Sequence, residues 1–149
     1  MSLDFNLDRE AQLHSQEIVA IAVSTEMENR LRRSLAILQE QGVYAVVLYL
    51  FKKEKDDGGL LAAELLLLAR KIAPDTAWKP EEETAITRKL KTYPPKHRPA
   101  NLEAQRARIR LDLLKGLSNN VAGDIHTLLL VKQLWEQTLI YARYACKLD

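Results

Sequence analysis

The side chains in this chain best placed to do chemistry are cations. Arg88, Lys89, Lys91, Lys96, Arg98, Arg106, Arg108 and Arg110 fall in one segment whose single acid is Glu103. The segment has a net charge of +7 and the whole chain only +2, so the remainder carries −5. Positive charge gathered in one place is the electrostatic footprint of a polyanion contact. Lys and Arg used this way hold phosphates and do not read bases. The same charges also fit a solvated, stiff connector, and composition leaves both readings open.

Nothing in the sequence sets up covalent or metal chemistry. His14, His97 and His126 are scattered, without a Cys, His or carboxylate at metal-ligand spacing. Asp124 and His126, two apart, point to different sides of a helix. Gly58-Gly59 lacks the Lys-Ser/Thr that follows a phosphate-binding loop. The Arg–His motif of some helical ribonucleases, a His four to six residues after an Arg, is expected to be absent, with Arg88 and His97 too far apart. Asp56-Asp57 and Glu81–Glu83 read as a turn and a helix start. The expectation is a non-enzyme with no catalytic residue, metal or cofactor. Cys146, the single cysteine, reads as a core or interface thiol and suits a reducing compartment.

The elements that position the cations read as helices. The chain is 47% hydrophobic, enough for a real core, and its length suggests a single domain over 1–149. Leu13, Ala20, Met27, Leu31, Leu35 and Leu38 mark a first helix from Asp8 to Gln41, with a bend possible at the β-branched Ile18–Val23 cluster and a stop at Gly42. Glu26–Arg30 and Glu28–Arg32 stand at i,i+4. Val43–Lys55 is read as a second helix although its residues also suit a strand, because no partner strand exists elsewhere. Lys52, Lys53 and Lys55 load its last turn. Asp56-Asp57-Gly58-Gly59 reads as a turn before a third helix, Leu60–Ala73, ended by Pro74. These two helices would form a buried hairpin, or a partner surface if one side is left uncovered.

Pro80 opens a mostly polar fourth helix expected on the surface, acidic at its start and basic at its end. Tyr93-Pro94-Pro95-Lys96-His97-Arg98-Pro99 reads as an extended, exposed segment in which Tyr93 could stack on a base. A fifth helix, Asn101 to Leu117, carries a core stripe of Leu102, Ile109, Leu113 and Leu117. Arg106 shares that face and should be tied to a carboxylate, while Arg108 and Lys115 point outward. Gly116 and Ser118–Asn120 read as a break. Asp124 caps a last helix, Ile125–Leu148. The fold expected is all-α, a compact bundle of about six helices with no sheet. The candidate nucleic-acid ligands are Arg88, Lys89, Lys91, Lys96, Arg98, Arg108 and Lys115, with Lys52, Lys53 and Lys55 as a second patch.

Two stretches carry a family likeness. One, from Arg33 to Phe51, is a helix, Gly42, and an apolar helix; the other, Leu134 to Lys147, is an aromatic and basic helix end with Trp135, Tyr141, Arg143, Tyr144 and Lys147. With the all-α length and the absence of catalytic motifs, the chain resembles the small subunit of a class 1 CRISPR–Cas effector complex. The first stretch is similar to type III small subunits, and the architecture suits the type I-D small subunit equally. The resemblance implies a non-catalytic role in which several copies stack along the crRNA-bound backbone. Their basic surface would hold the target strand, or the displaced strand in a DNA-targeting complex, while guide pairing supplies specificity. The partners expected are nucleic acid, other effector subunits and copies of itself, without a membrane, in the cytoplasm. No signal sequence is read in the first twelve residues and no apolar run approaches a membrane span. The alternative is a helical scaffold that binds protein only, through the Tyr44–Phe51 and Leu60–Leu68 hairpin.

Overall fold

The computed structural model describes residues 6–21, 25–75 and 77–147. Among these are seven α-helices and one 3₁₀ turn, with no strand. The helices are α1 (Leu7–Ile21), α2 (Thr25–Gln41), α3 (Val43–Lys53), α4 (Lys55–Ile72), α5 (Glu81–Leu90), α6 (Ala100–Asn120) and α7 (Ile125–Ala145). Of the expected first helix, Leu7–Ile21 and Thr25–Gln41 are helical; Ile18, Val19 and Ile21 of the β-branched cluster belong to α1, and residues 22–24, with Val23 among them, lie outside the described residues. Gly42 ends α2 with φ +100, a conformation that costs little only for glycine, and its N–H returns to the carbonyls of Ile37 and Leu38.

Two helices form the centre. α4 packs against α1, α3, α5 and α7, which explains why its apolar residues exceed one face: Leu61, Ala62, Leu65, Leu66, Leu68 and Ala69 are all buried. α7 contributes Val131, Leu134, Trp135, Leu139 and Ala142 and meets α1 and α2. Each fully buried large aliphatic side chain contributes on the order of 1.5–3 kcal/mol relative to exposure, so this core carries the fold. The strand-like α3 is a helix because its Val46, Val47, Leu50 and Phe51 enter the same core. The α3–α4 hairpin is therefore covered within the chain and offers no broad apolar face; of the expected scaffold surface, Tyr44 is the large side chain left exposed.

Three boundaries differ from expectation for packing reasons. Asp56-Asp57-Gly58-Gly59 is the first turn of α4, not a loop. Its acids complement the helix dipole, and its glycines permit close approach: a Cβ at Gly58 would lie 2.4 Å from the Leu50 carbonyl oxygen. α6 runs through Gly116 to Asn120 because the glycine makes room for Trp78, which would lie 2.5 Å from an added Cβ. Trp78 is buried there and its Nε1 donates to the Leu113 carbonyl at 3.2 Å. α5 is not a purely surface helix, since Glu83, Ile86, Thr87 and Leu90 are buried. Ile86 and Leu90 join Leu102 and Ile109 of α6 in a small second core that fixes the basic segment to the body of the protein. Asp124 caps α7 as expected, accepting from the His126 N–H at 3.1 Å.

Candidate nucleic-acid interface

The basic segment occupies the end of α5, the 3₁₀ turn Pro95–His97 and the first half of α6. The three prolines at 94, 95 and 99 keep it out of a long helix, and residues 91–97 are exposed. It lies against the start of α4, and the acids there take up part of its charge. The Arg98 guanidinium forks onto Asp56, with Nη1 to Oδ1 at 3.0 Å and Nη2 to Oδ2 at 2.7 Å. Arg106 Nη1 adds a third donor to Asp56 Oδ1 at 2.7 Å, the carboxylate tie expected for an arginine at the core boundary. Lys91 Nζ lies 3.0 Å from Asp57 Oδ1. The Arg98 fork, with Arg106 beside it, holds the Asp56 carboxyl down at about 2, against the opposing effect of burial, and Asp56 in turn raises the Arg98 value.

Arg110 faces inward. Its Nε and Nη2 donate to Glu83 at 2.9 and 3.0 Å, its Nη1 donates to the Phe51 carbonyl at 3.0 Å, and its Cζ stands 4.8 Å from the Phe51 ring centroid. Thr87 Oγ1 also donates to Glu83.

Of the segment's eight cations, Lys91, Arg98, Arg106 and Arg110 are thus tethered within the chain. Arg88, Lys89, Lys96 and Arg108 are exposed, and their side chains make no hydrogen bond or ion pair among the described residues. The same holds for Lys115, Lys52 and Lys53. Arg108 and Lys115 share the outer face of α6, with exposed Leu111 between them, and stand about 10 Å apart along the axis at 1.5 Å per residue. Tyr93 is partly exposed beside the proline turn.

The end of α3 lies against the basic segment through Phe51, whose carbonyl accepts from Arg110. A cavity of about 500 Å³ is lined by Phe51, Asp56, Pro95, Arg98, Glu103, Arg106 and Arg110. Lys52 and Lys53 follow Phe51 directly at the end of α3, so this helix end and the basic segment border one cavity. The side chain of Lys55 lies outside the described part of the structure. Asp56, Asp57 and Glu83 were not legible as partners of the basic segment; the one available signal was the need of Arg106 for a carboxylate.

A second ion-pair network braces α2, α3 and α4. Glu54 accepts from Arg30 Nε at 3.0 Å, Arg33 Nη2 at 2.6 Å and the Tyr49 hydroxyl at 2.7 Å. Burial pushes the Glu54 carboxyl up, but these donors outweigh it and hold it below the ordinary carboxylate value. Arg30 also reaches Glu26 at 3.5 Å, the expected i,i+4 pair, whereas Glu28 faces Lys147 at 3.3 Å and Arg32 turns to Asn29 at 2.9 Å.

Contrary to the expectation that no Arg has a His at the spacing of the helical-ribonuclease motif, Arg9 and His14 stand five apart on α1. Five residues of α-helix place them about 140° apart around the axis. His14 is committed to carboxylates: Nδ1 lies 2.9 Å from Glu64 Oε2 and Nε2 3.7 Å from Glu10 Oε2, while Lys71 Nζ reaches the same Glu10 oxygen at 2.5 Å. This arrangement clasps α1 to α4.

Among the described residues, no three His, Cys, Asp or Glu side chains converge as a metal-binding set, and no helix is long and apolar enough to cross a membrane. Comparison with family models, curated proteins and solved structures yields no match.

Proposed function

We propose that the chain is a non-catalytic subunit that holds nucleic acid through its phosphates without reading sequence. The observation that carries this reading is the set Arg88, Lys89, Lys96 and Arg108: four exposed cations without partners among the described residues, on a segment anchored to the core. Charge used for folding is paired, as at Arg98, Arg106 and Arg110, so the unpaired remainder is available to a ligand. Such a part suits the small subunit of a class 1 CRISPR–Cas effector complex, the group that the sequence resembles. There, neighbouring subunits and guide pairing would supply specificity and cutting, and repeated copies would multiply a weak single contact.

The test is binding of labelled single-stranded RNA, single-stranded DNA and duplex across a salt series, with wild type and a Lys89→Glu, Lys96→Glu, Arg108→Glu variant. Binding that falls steeply with salt, ignores base sequence and weakens in the variant supports the reading. Unchanged binding by the folded variant removes these residues from the interface. No binding at low salt by the chain alone or in its native assembly would overturn the reading.

A second reading, a scaffold acting through protein contacts, rests on a different feature. An apolar groove of about 410 Å³ lies between the α2–α3 junction and the α6–α7 corner, lined by Val43, Tyr44, Leu117, Val121, Leu128 and Leu129. Self-association or partner capture that is lost in Leu129→Glu and insensitive to the basic segment would favour it.

A further inference from the structure

Asp56 receives three N–H groups from two guanidiniums, and one of those arginines binds it with a parallel fork. This is the donor arrangement with which arginines take a phosphate. Resting on the nucleic-acid reading above, we propose that Lys91, Arg98 and Arg106 form a further phosphate-binding site that Asp56 and Asp57 mask in the free chain. An incoming phosphodiester takes the place of the carboxylates.

The geometry makes the exchange feasible at Asp56 and Asp57 and not at Glu83. The Asp56 and Asp57 side chains retain 21% and 29% of their exposure, so once displaced they meet water. They also stand in the first turn of α4, where the helix dipole continues to favour their charge. Glu83 is fully buried, and removing Arg110 from it would strand a charge in the core. The carboxylate also leaves capacity unused. Arg98 Nε is buried without a hydrogen-bond partner, since both Asp56 oxygens are taken by the two Nη groups. A phosphate offers more acceptor oxygens than a carboxylate, and the cavity of about 500 Å³ beside Arg98 and Arg106 has room for one.

The experiment compares wild type, Asp56→Asn, Asp57→Asn and Asp112→Asn for binding a labelled single-stranded oligouridylate over a salt series, with folding checked by helicity and urea unfolding. Asn keeps the side-chain shape and suits a helix start. Asp112→Asn gives the same change in net charge at an exposed site on α6 outside the cluster. Each phosphate gained steepens the log–log salt slope by about 0.7, which amounts to about fivefold in affinity near 0.1 M salt. The expected result is a gain of that size for Asp56→Asn and Asp57→Asn beyond the Asp112→Asn control. The Asp56→Asn gain should disappear in Asp56→Asn/Arg98→Gln. A gain over a wild type that scarcely binds counts equally in favour. Folded acid variants that bind no better than the control overturn the mask. Should Asp56→Asn fail to fold, Asp57→Asn decides: its pair with Lys91 is part-exposed and contributes little to stability, and its other cation, Arg30, stands 4.0 Å away and keeps Glu54 as its closer partner at 3.0 Å. If Lys96→Glu weakens wild-type binding while the acid variants gain nothing, the mask fails and the phosphate-binding reading stands. If no variant binds, alone or in the native assembly, both fall.

Discussion

Arg110, largely buried, and Glu83, fully buried, form an ion pair at which four helices meet. Arg110 comes from α6 and Glu83 from α5, the Phe51 carbonyl of α3 takes a third N–H, and Gly59 of α4 closes over the pair. A Cβ at Gly59 would lie 2.5 Å from Glu83 Oε2 and 2.6 Å from Arg110 Nη2. Removing one member of a buried pair leaves the other uncompensated, at about 3–5 kcal/mol. Glu83→Ala is therefore expected to lower the urea unfolding free energy by that amount, and Glu83→Ala/Arg110→Ala to cost less than the sum of the single changes. Additive losses would mean that the pair is not coupled.

Gly116 answers to Trp78 in a similar way. An added methyl would push the indole off its site and strain the Nε1 bond to Leu113. Gly116→Ala raises helix propensity in α6, yet overpacking of this kind costs about 1–3 kcal/mol, so net destabilisation is expected. The Trp78 emission should shift to the red as the ring gains water. A stabilised variant with unchanged emission would mean that the ring moves aside freely.

Much of the architecture could be read from the chain because helical periodicity and capping act locally. The Gly42 stop and the Asp124 cap are short-range signals. What escaped the sequence depends on distant partners. Asp56-Asp57-Gly58-Gly59 has the composition of a turn, and becomes helix because the glycines fit against Leu50 and the Glu83–Arg110 pair. Gly116 has the look of a breaker until Trp78, 38 positions earlier, fills the space that it leaves. The basic segment was legible as charge, but half its cations are spent on carboxylates from α4 and α5. Linear spacing carries no record of that pairing. The free half is what composition could not separate from the tethered half.

Acid should expose the role of Asp56. Its folded-state value of about 2 is below the ordinary 3.8, held there by Arg98 and Arg106. A depressed carboxyl contributes stability that is fully present above its unfolded value and lost as pH falls through the folded one. The urea midpoint of the wild type should decline between about pH 4 and pH 2, with Glu54, also depressed, adding to the fall. Asp56→Asn should start less stable at neutral pH and decline less over that window. Parallel curves would mean that the Arg98 fork is not formed in solution.

The convergence of α3 with the basic segment gives a prediction about binding that folding does not complicate. Lys52 and Lys53 are exposed and unpaired among the described residues, directly after Phe51, whose backbone Arg110 holds. Reversing both costs stability only through the α3 dipole, about 0.3–1 kcal/mol each at most. If one strand crosses this helix end and the basic segment together, Lys52→Glu/Lys53→Glu should weaken binding of a long oligonucleotide and lower its salt slope by about 0.7 for each phosphate lost. A short oligonucleotide that reaches only the Lys96 side should be indifferent to the change. For the long strand, the loss should add to that of Lys96→Glu, since the two sites share no partner. An effect of equal size on both lengths would instead mean that Lys52 and Lys53 act through the general field of the protein and touch no phosphate.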